Sequence, residues 1–182
     1  AFIFIGLIGF AVMMIKSPQR GWLAFLLAFF YFVSLGLGGL FFTAINNLTK
    51  AGWVVNVRRI CESFTSFLPY AAGLGLVLLI GAKHLYVWMN KGIVSQDEIL
   101  AGKSGYLNLT FFVIRLVVFF AGWLLFKKLL VGASVEQDKT GDEEITKKSV
   151  ARSIAFVLFF ALSYSFFAVD LLMSLEPHFF ST

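Results

Sequence analysis

Five long stretches of this chain are almost wholly apolar, and short polar segments separate them. The stretches cover residues 1–15, 22–45, 67–89, 109–131 and 150–173. About 20 apolar helical residues cross the ~30 Å hydrocarbon core of a bilayer, and only helices or closed barrels do so. Barrel strands alternate polar and apolar positions, whereas these stretches are apolar on all sides, so the pattern predicts helices. We therefore expect an all-α, polytopic transmembrane helix bundle, a single domain with about five spans, the first of them short.

The composition agrees with a membrane protein and excludes two other classes. Of 182 residues, 59% are hydrophobic and 14% are charged, whereas about 25% are charged in an average soluble domain. A soluble enzyme is therefore excluded, and the 23 phenylalanines exclude a disordered chain. The single cysteine, Cys61, cannot form an internal disulfide or a thiolate cluster and is expected at the cytoplasmic interface. The net charge of +5 lies in the short connections, which favours lipid headgroups as partners and not nucleic acid.

The basic residues are unequally divided between the two sides of the predicted bundle, since alternate connections share a side. One side carries Lys16, Arg20, Lys91 and Lys103. The other carries Lys50, Arg58, Arg59, Lys127, Lys128, Lys139, Lys147, Lys148 and Arg152. Because cytoplasmic connections are enriched in Lys and Arg, the second side is predicted to be cytoplasmic. Residues 46–66 and 132–149 are then cytoplasmic, and the chain after residue 174 lies on the opposite, outer face.

Two connections have patterns of their own. Trp53, Val57, Ile60 and Phe64 recur at helical spacing, which predicts a helix over residues 48–65 that lies in the headgroup plane. Residues 132–149 mix acidic residues with lysines around Gly141, which is typical of a solvated loop.

Four ionisable side chains fall within the predicted spans: Lys83, His84, Arg115 and Asp170. Each costs about 2.5–3.5 kcal/mol on insertion scales, so each needs a partner, a wet cavity or a function. From the helical rise, all four lie roughly 9 Å or less from the outer end of their spans. Three separate helices thus bring polar groups to one level.

This polar layer admits two interpretations. In the first, Arg115 and Asp170 pair and border, with His84 and Lys83, a polar cavity or proton path. In the second, Arg115 and Asp170 form a structural ion pair, Lys83 extends to the headgroups, and His84 bonds a neighbouring helix. His84 and His178 alone provide too few ligands for zinc or haem, so we predict no metal in this chain.

Several short motifs resemble those of a known family. The most specific are Gly102-Lys103-Ser104-Gly105-Tyr106-Leu107-Asn108 and Asp170 followed by Met173-Ser174-Leu175-Glu176-Pro177-His178. Weaker ones are Ala51-Gly52-Trp53 with Arg58-Arg59, His84 before Tyr86-Val87-Trp88, Arg115 with Trp123, Gln137-Asp138, Lys147-Lys148 and Phe180-Ser181-Thr182. Together they resemble the NrfD-like integral membrane subunits of bacterial alternative complex III, a quinol:cytochrome c oxidoreductase. The family has tryptophan where this chain has Leu171 and Phe179, and aromatic bulk remains only at Phe179.

The resemblance implies a multi-pass subunit of the bacterial inner membrane that holds no cofactor and forms the first part of a longer chain. Its implied partners are an NrfD-like quinol-binding sister subunit, a multihaem cytochrome c and an iron–sulfur subunit, with a terminal cytochrome oxidase as a further candidate. Haem c and iron–sulfur clusters would then lie in the partners, and menaquinol or another quinol would be the electron donor. The implied role in this respiratory chain is a contribution to proton translocation or support of the membrane arm.

Two other functions remain open at this stage. A purely structural subunit would use the same charged residues for assembly alone. A secondary transporter would show inverted repeats and helices interrupted mid-membrane, but Pro69 lies at the start of a span, where proline is tolerated.

Overall fold

The computed structural model describes residues 2–141 and 143–178. These residues are 89% helical and contain no strand, which confirms the prediction of an all-α bundle. The α-helices are α1 (Phe2–Lys16), α2 (Pro18–Thr49), α3 (Arg58–Phe64), α4 (Leu68–Leu85), α5 (Lys91–Val94), α6 (Glu98–Lys103), α7 (Leu109–Thr140) and α8 (Glu143–Leu171). Short 3₁₀ turns lie at Gly52–Asn56, Thr65–Phe67, Val87–Met89 and Met173–Leu175.

Four helical segments are long and apolar enough to cross a membrane. They are Pro18–Thr49, Arg58–Leu85, Leu109–Thr140 and Glu144–Leu175. Helix α1 has 15 residues, about 22 Å of helix, which is shorter than a typical hydrocarbon core. The first predicted span is therefore a helix that falls below the spanning length, and the other four have that length.

The outer surface of the bundle is strongly apolar. Ile80, Leu158 and Leu162 are each about two thirds exposed or more, and many other large apolar side chains face outward from α2, α4, α7 and α8. A water-soluble monomer seldom exposes so much contiguous apolar surface. The chain therefore has the surface of a membrane protein.

Helix α2 lies at the centre of the bundle and packs against α1, α3, α4, α7 and α8. Glycines allow the closest approaches. A Cβ added at Gly39 would lie 2.3 Å from the carbonyl oxygen of Cys61, and one at Gly81 would lie 2.0 Å from the ring of Trp22. The backbones of α2 and α3 are thus in contact at Gly39, as small residues within spans permit.

The helix predicted over 48–65 is not one continuous element. Helix α2 continues to Thr49, a 3₁₀ turn covers Gly52–Asn56, and α3 runs on into α4 through the 3₁₀ turn Thr65–Phe67. Pro69 explains the tightened turn, because it has no N–H to donate to the carbonyl of Thr65. The N–H of Leu68 donates to that carbonyl instead.

The predicted loop over 132–149 is a helical hairpin and not an irregular segment. Helix α7 continues to Thr140, and Gly141 follows in the left-handed conformation (φ 66°), with its N–H bonded to the carbonyl of Gln137. Gly at this position is a usual helix end, and Lys and Glu are good helix formers. The charged residues therefore extend the two helices beyond their apolar parts.

Candidate functional site

Arg115 and Asp170 form a buried, bidentate ion pair between α7 and α8. The Nε of Arg115 lies 2.6 Å from Oδ2 of Asp170, and Nη2 lies 2.9 Å from Oδ1. Only 8% of Arg115 and 2% of Asp170 is exposed. The predicted pairing of Arg115 with Asp170 is therefore confirmed. Its two side-by-side N–H to oxygen bonds have the geometry of a strong Arg–carboxylate contact.

Local sequence fixes where each partner lies on its helix. The side chain of Asn108 caps α7 by accepting from the N–H of Phe111 at 2.8 Å, which places Arg115 in the second turn. Asp170 lies in the last turn of α8, where its carbonyl accepts from the hydroxyl of Ser174 at 2.5 Å. We call this end of the bundle, where α4 and α8 end and α7 begins, the site end.

Tyr106 and Phe111 surround the rest of the guanidinium. Nη1 of Arg115 donates to the carbonyl of Tyr106 at 3.2 Å. The guanidinium carbon lies 3.9 Å from the ring centroid of Tyr106 and 4.4 Å from that of Phe111. Cation–π contacts of this kind stabilise a desolvated cation. The charge of Arg115 is thus met by one carboxylate, one carbonyl and two aromatic faces.

The segments before α7 and after α8 close over the pair. The hydroxyl of Tyr86 donates to the carbonyl of Leu171 at 3.1 Å, and Nζ of Lys103 donates to that of Pro177 at 2.6 Å. Nε2 of His178 lies 2.7 Å from Oδ2 of Asp97. A bond from the N–H of Leu100, and then the contact with His178, hold the pKa of Asp97 below its ordinary value. Side chains and carbonyls therefore join two segments that are distant in sequence.

A groove of about 420 Å³ opens beside the pair at the site end, and Lys103, Tyr106, Ser174 and Glu176 are among its lining residues. The hydroxyl of Tyr106 is buried close to Asp170 and makes no hydrogen bond of normal geometry within the described part of the chain. Burial, and after it the nearby Asp170, raise the pKa of Tyr106 to about 12. Tyr106 and Ser174 connect this groove to the ion pair, because the carbonyl of Tyr106 accepts from Arg115 and the hydroxyl of Ser174 donates to the carbonyl of Asp170.

Aromatic rings fill the bundle on the other side of the pair. Phe167, one turn before Asp170, packs against Trp123 with ring centroids 5.1 Å apart and against Phe120 at 6.1 Å. Phe29 of α2 completes the layer at 6.3 Å from Phe167. The indole N–H of Trp123 donates to Ser163 at 2.9 Å, so it is satisfied within the layer. Asp170 therefore has polar neighbours toward the site end and aromatic ones toward the centre of the bundle.

Lys83 and His84 lie in the last turn of α4, at the site end, but do not join the pair. Both are exposed, whereas Ala82 and Leu85 on the same helix are buried in the core. Spacing along a span gives the depth of a residue, but the side of the helix depends on how the bundle packs. The structure thus brings together two of the four predicted site residues.

A second charged cluster at the opposite end joins α3 to α7. Glu62, which is 4% exposed, accepts from Nε of Arg58 at 3.1 Å and also from Arg59. Arg59 pairs with Asp138 and donates to the carbonyl of Ser134 at 3.2 Å. Asp138 is 23 residues beyond Arg115 on α7, about 35 Å along the helix. The i, i+4 spacing of Arg58 and Glu62 indicates their contact, but no local pattern indicates Asp138.

No group of three His, Cys, Asp or Glu side chains in residues 2–141 and 143–178 is placed to hold a metal ion. The sequence-based expectation of a chain without metal stays a prediction. Phe179, one of the two positions where the resembled family carries tryptophan, lies outside the described residues, and the other position, Leu171, is fully buried.

Fold and site together define a bundle of membrane-protein type with a buried Arg–Asp pair beneath a polar cover. No protein-family model matches this chain, and no curated protein compared with it is a significant match.

Proposed function

We propose that this chain is the ActF-type, NrfD-like membrane subunit of an alternative complex III, in the bacterial cytoplasmic membrane. Its partners would be the NrfD-like quinol-binding sister, the multihaem cytochrome c and the iron–sulfur subunit, with the haems and clusters held by them. One observation carries this proposal. The two most family-like segments, 102–108 and 170–178, are 62 or more residues apart in sequence yet bond to each other through Lys103 and Pro177 and enclose the Arg115–Asp170 pair.

In this proposal Asp170 and Arg115 form the outer end of a proton path. The groove beside Tyr106 would give water access from the site end, and the aromatic layer at Phe167 separates the pair from the centre of the bundle. A proton would pass to or from Asp170 only when the pair with Arg115 opens, because both carboxylate oxygens accept from Arg115. His84, which faces away from the bundle, has no part in this path.

The test is Asp170→Asn in the intact complex, with Glu98→Gln as the control, since Glu98 is an exposed carboxylate at the same end. We expect quinol:cytochrome c activity or proton release to fall several-fold in Asp170→Asn while the haem content is unchanged. Glu98→Gln should keep both. Normal activity and proton release in Asp170→Asn, with the haems in place, would contradict the proton path.

A second candidate is a purely structural subunit of the membrane arm. The favouring observation is that each of the three guanidinium nitrogens of Arg115 already donates within the chain, two to Asp170 and one to the carbonyl of Tyr106, while the rings of Tyr106 and Phe111 lie against the charge. Buried pairs can often be replaced by apolar side chains without loss of stability. If the role is structural, the double variant Arg115→Met with Asp170→Leu keeps activity in an assembled complex. If the pair belongs to a proton path, the double variant loses that activity.

A secondary transporter ranks third. Helices α2 and α7 run unbroken over 32 residues each and α8 over 29, whereas transporter sites are typically built from spans interrupted near mid-membrane.

A further inference from the structure

A second groove at the site end is separated from the one beside the ion pair by Leu107, which lines both. It has a volume of about 600 Å³ and lies between the end of α4, the Val87–Met89 turn and the start of α7. Nothing in the proposed proton path uses it. Three features determine which ligand this groove can bind: its charge, one buried hydrogen-bond donor and one helix end.

Lys83 provides the only charge among the described residues that line this groove, and no lining residue is a carboxylate. Three other polar lining residues are engaged within the chain. The hydroxyl of Ser95 donates to the carbonyl of Gly92 at 3.0 Å, that of Ser104 donates to Ala101 at 2.6 Å, and the amide of Asn108 donates to Gly105 at 3.0 Å. The groove therefore presents a cation without a counter-ion from its own walls.

Trp88 adds a buried donor. The residue is 4% exposed and lines the groove, yet its indole N–H has no partner in the part of the chain that the structure describes. A buried donor without an acceptor costs about 1–3 kcal/mol, and such groups are few in folded proteins. An acceptor from outside the chain would remove this cost.

The start of α7 is the third feature. Leu109, the first residue of this 32-residue helix, lines the groove. The side chain of Asn108 satisfies the N–H of Phe111, while the N–H groups of Leu109 and Thr110 lie at the positive end of the helix dipole without an intrahelical acceptor. Helix starts of this kind favour anions.

The two helices that line the groove also carry exposed apolar side chains farther along the spans. Ile80, one turn before Lys83, is 74% exposed, and Ile114 of α7 is 51% exposed. A ligand with an anionic head and apolar chains matches this arrangement, whereas a free anion would leave the apolar surface unused. We propose that this groove binds an anionic phospholipid, with its phosphate near Lys83, Trp88 and the start of α7 and its acyl chains along Ile80 and Ile114.

Native mass spectrometry of the purified full chain, with added phosphatidylglycerol, tests this directly. We expect Lys83→Gln to weaken binding about fivefold, which corresponds to the ~1 kcal/mol of one Lys at an anionic surface. Trp88→Phe, which keeps the ring and removes the N–H, should weaken it two- to fivefold. Lys16→Gln and Trp53→Phe are the matched controls, because Lys16 and Trp53 are exposed and outside the groove. Both should bind as the unchanged protein does.

Competitors separate the anionic lipid from other ligands. Phosphatidylcholine with the same acyl chains should bind at least fivefold more weakly, and inorganic phosphate at millimolar concentration should not displace phosphatidylglycerol. Equal losses in Lys83→Gln and Lys16→Gln would overturn the proposal. So would displacement by inorganic phosphate, or a preference for a quinone over the anionic lipid.

Discussion

The carbonyl and the ring of Tyr106 both contact the guanidinium of Arg115, the carbonyl at 3.2 Å from Nη1 and the ring centroid at 3.9 Å from the guanidinium carbon. One residue of the segment before α7 thus holds the cation that pairs with Asp170. The cover at the site end and the buried pair are therefore in direct contact, and loss of the Tyr106 ring should affect both.

Two substitutions at Tyr106 distinguish the contribution of its ring to stability from that of its hydroxyl. Tyr106→Phe keeps the aromatic face and removes a buried hydroxyl that makes no hydrogen bond of normal geometry, so we expect stability within about 0.5 kcal/mol of the unchanged protein. Tyr106→Leu removes the cation–π contact and should destabilise by about 1–2 kcal/mol. Thermal unfolding in one detergent compares the two. Equal losses would show that the ring does not stabilise Arg115.

The Arg115–Asp170 pair should show strong coupling in a double-mutant cycle. Arg115→Met or Asp170→Leu alone leaves a buried charge unpaired and should cost about 3–5 kcal/mol. The double variant should cost much less than the sum, because it removes both charges. Chemical denaturation in detergent gives the free energy of unfolding of the unchanged protein, the two single variants and the double variant. Additive losses would mean that the two side chains do not pair in the folded protein.

Gly39 and Gly38 provide a matched test of the packing of α2 on α3. An added Cβ at Gly39 lies 2.3 Å from the backbone oxygen of Cys61, whereas one at Gly38 meets nothing within 4 Å. Gly39→Ala should therefore destabilise by about 1–3 kcal/mol. Gly38→Ala should be neutral or stabilise by up to about 1 kcal/mol through helix propensity. Similar behaviour of the two variants in thermal unfolding would contradict the close approach.

The hydrogen bonds that the Asp97 carboxylate accepts should weaken at acid pH. Its pKa is lowered in the folded protein, first by the N–H of Leu100, so its stabilising effect is complete above the ordinary value of 3.8 and lost as the pH falls through the lower folded value. The protection of the Ile99 and Leu100 amides against hydrogen exchange, relative to their intrinsic rates, should fall in that window. Asp97→Asn should remove this dependence, and an unchanged dependence in that variant would assign it to another group.

The depth of the charged residues could be predicted from sequence, but their side of the helix could not. Arg115 and Asp170 each lie near the end of a long apolar stretch, so the helical rise alone puts them at one level. Lys83 and His84 also lie near the end of an apolar stretch. However, the face of α4 that contains Gly81 packs against Trp22, which leaves Lys83 and His84 on the exposed side of the helix.

The two charged connections could not be predicted for a different reason. A helix that lies on a membrane and one that continues a span have the same apolar periodicity, and only the position of Pro69 indicates the tightened turn at Thr65–Phe67. The contact of Arg59 with Asp138 joins residues 79 apart, and it forms only because the folded bundle brings the end of α7 within reach of the Arg59 side chain.

Purification of the tagged chain from its native membranes in a mild detergent tests the proposed function most directly. The measurements are the subunits that co-purify, the c-type haem spectrum of the preparation and its quinol:cytochrome c activity. The proposal predicts a multihaem cytochrome c, an iron–sulfur protein and a second NrfD-like subunit in fixed ratio with the chain, together with that activity. A chain that purifies without haem and without quinol-oxidising activity, while an unrelated tagged subunit of the same membranes retains its own partners, would contradict it.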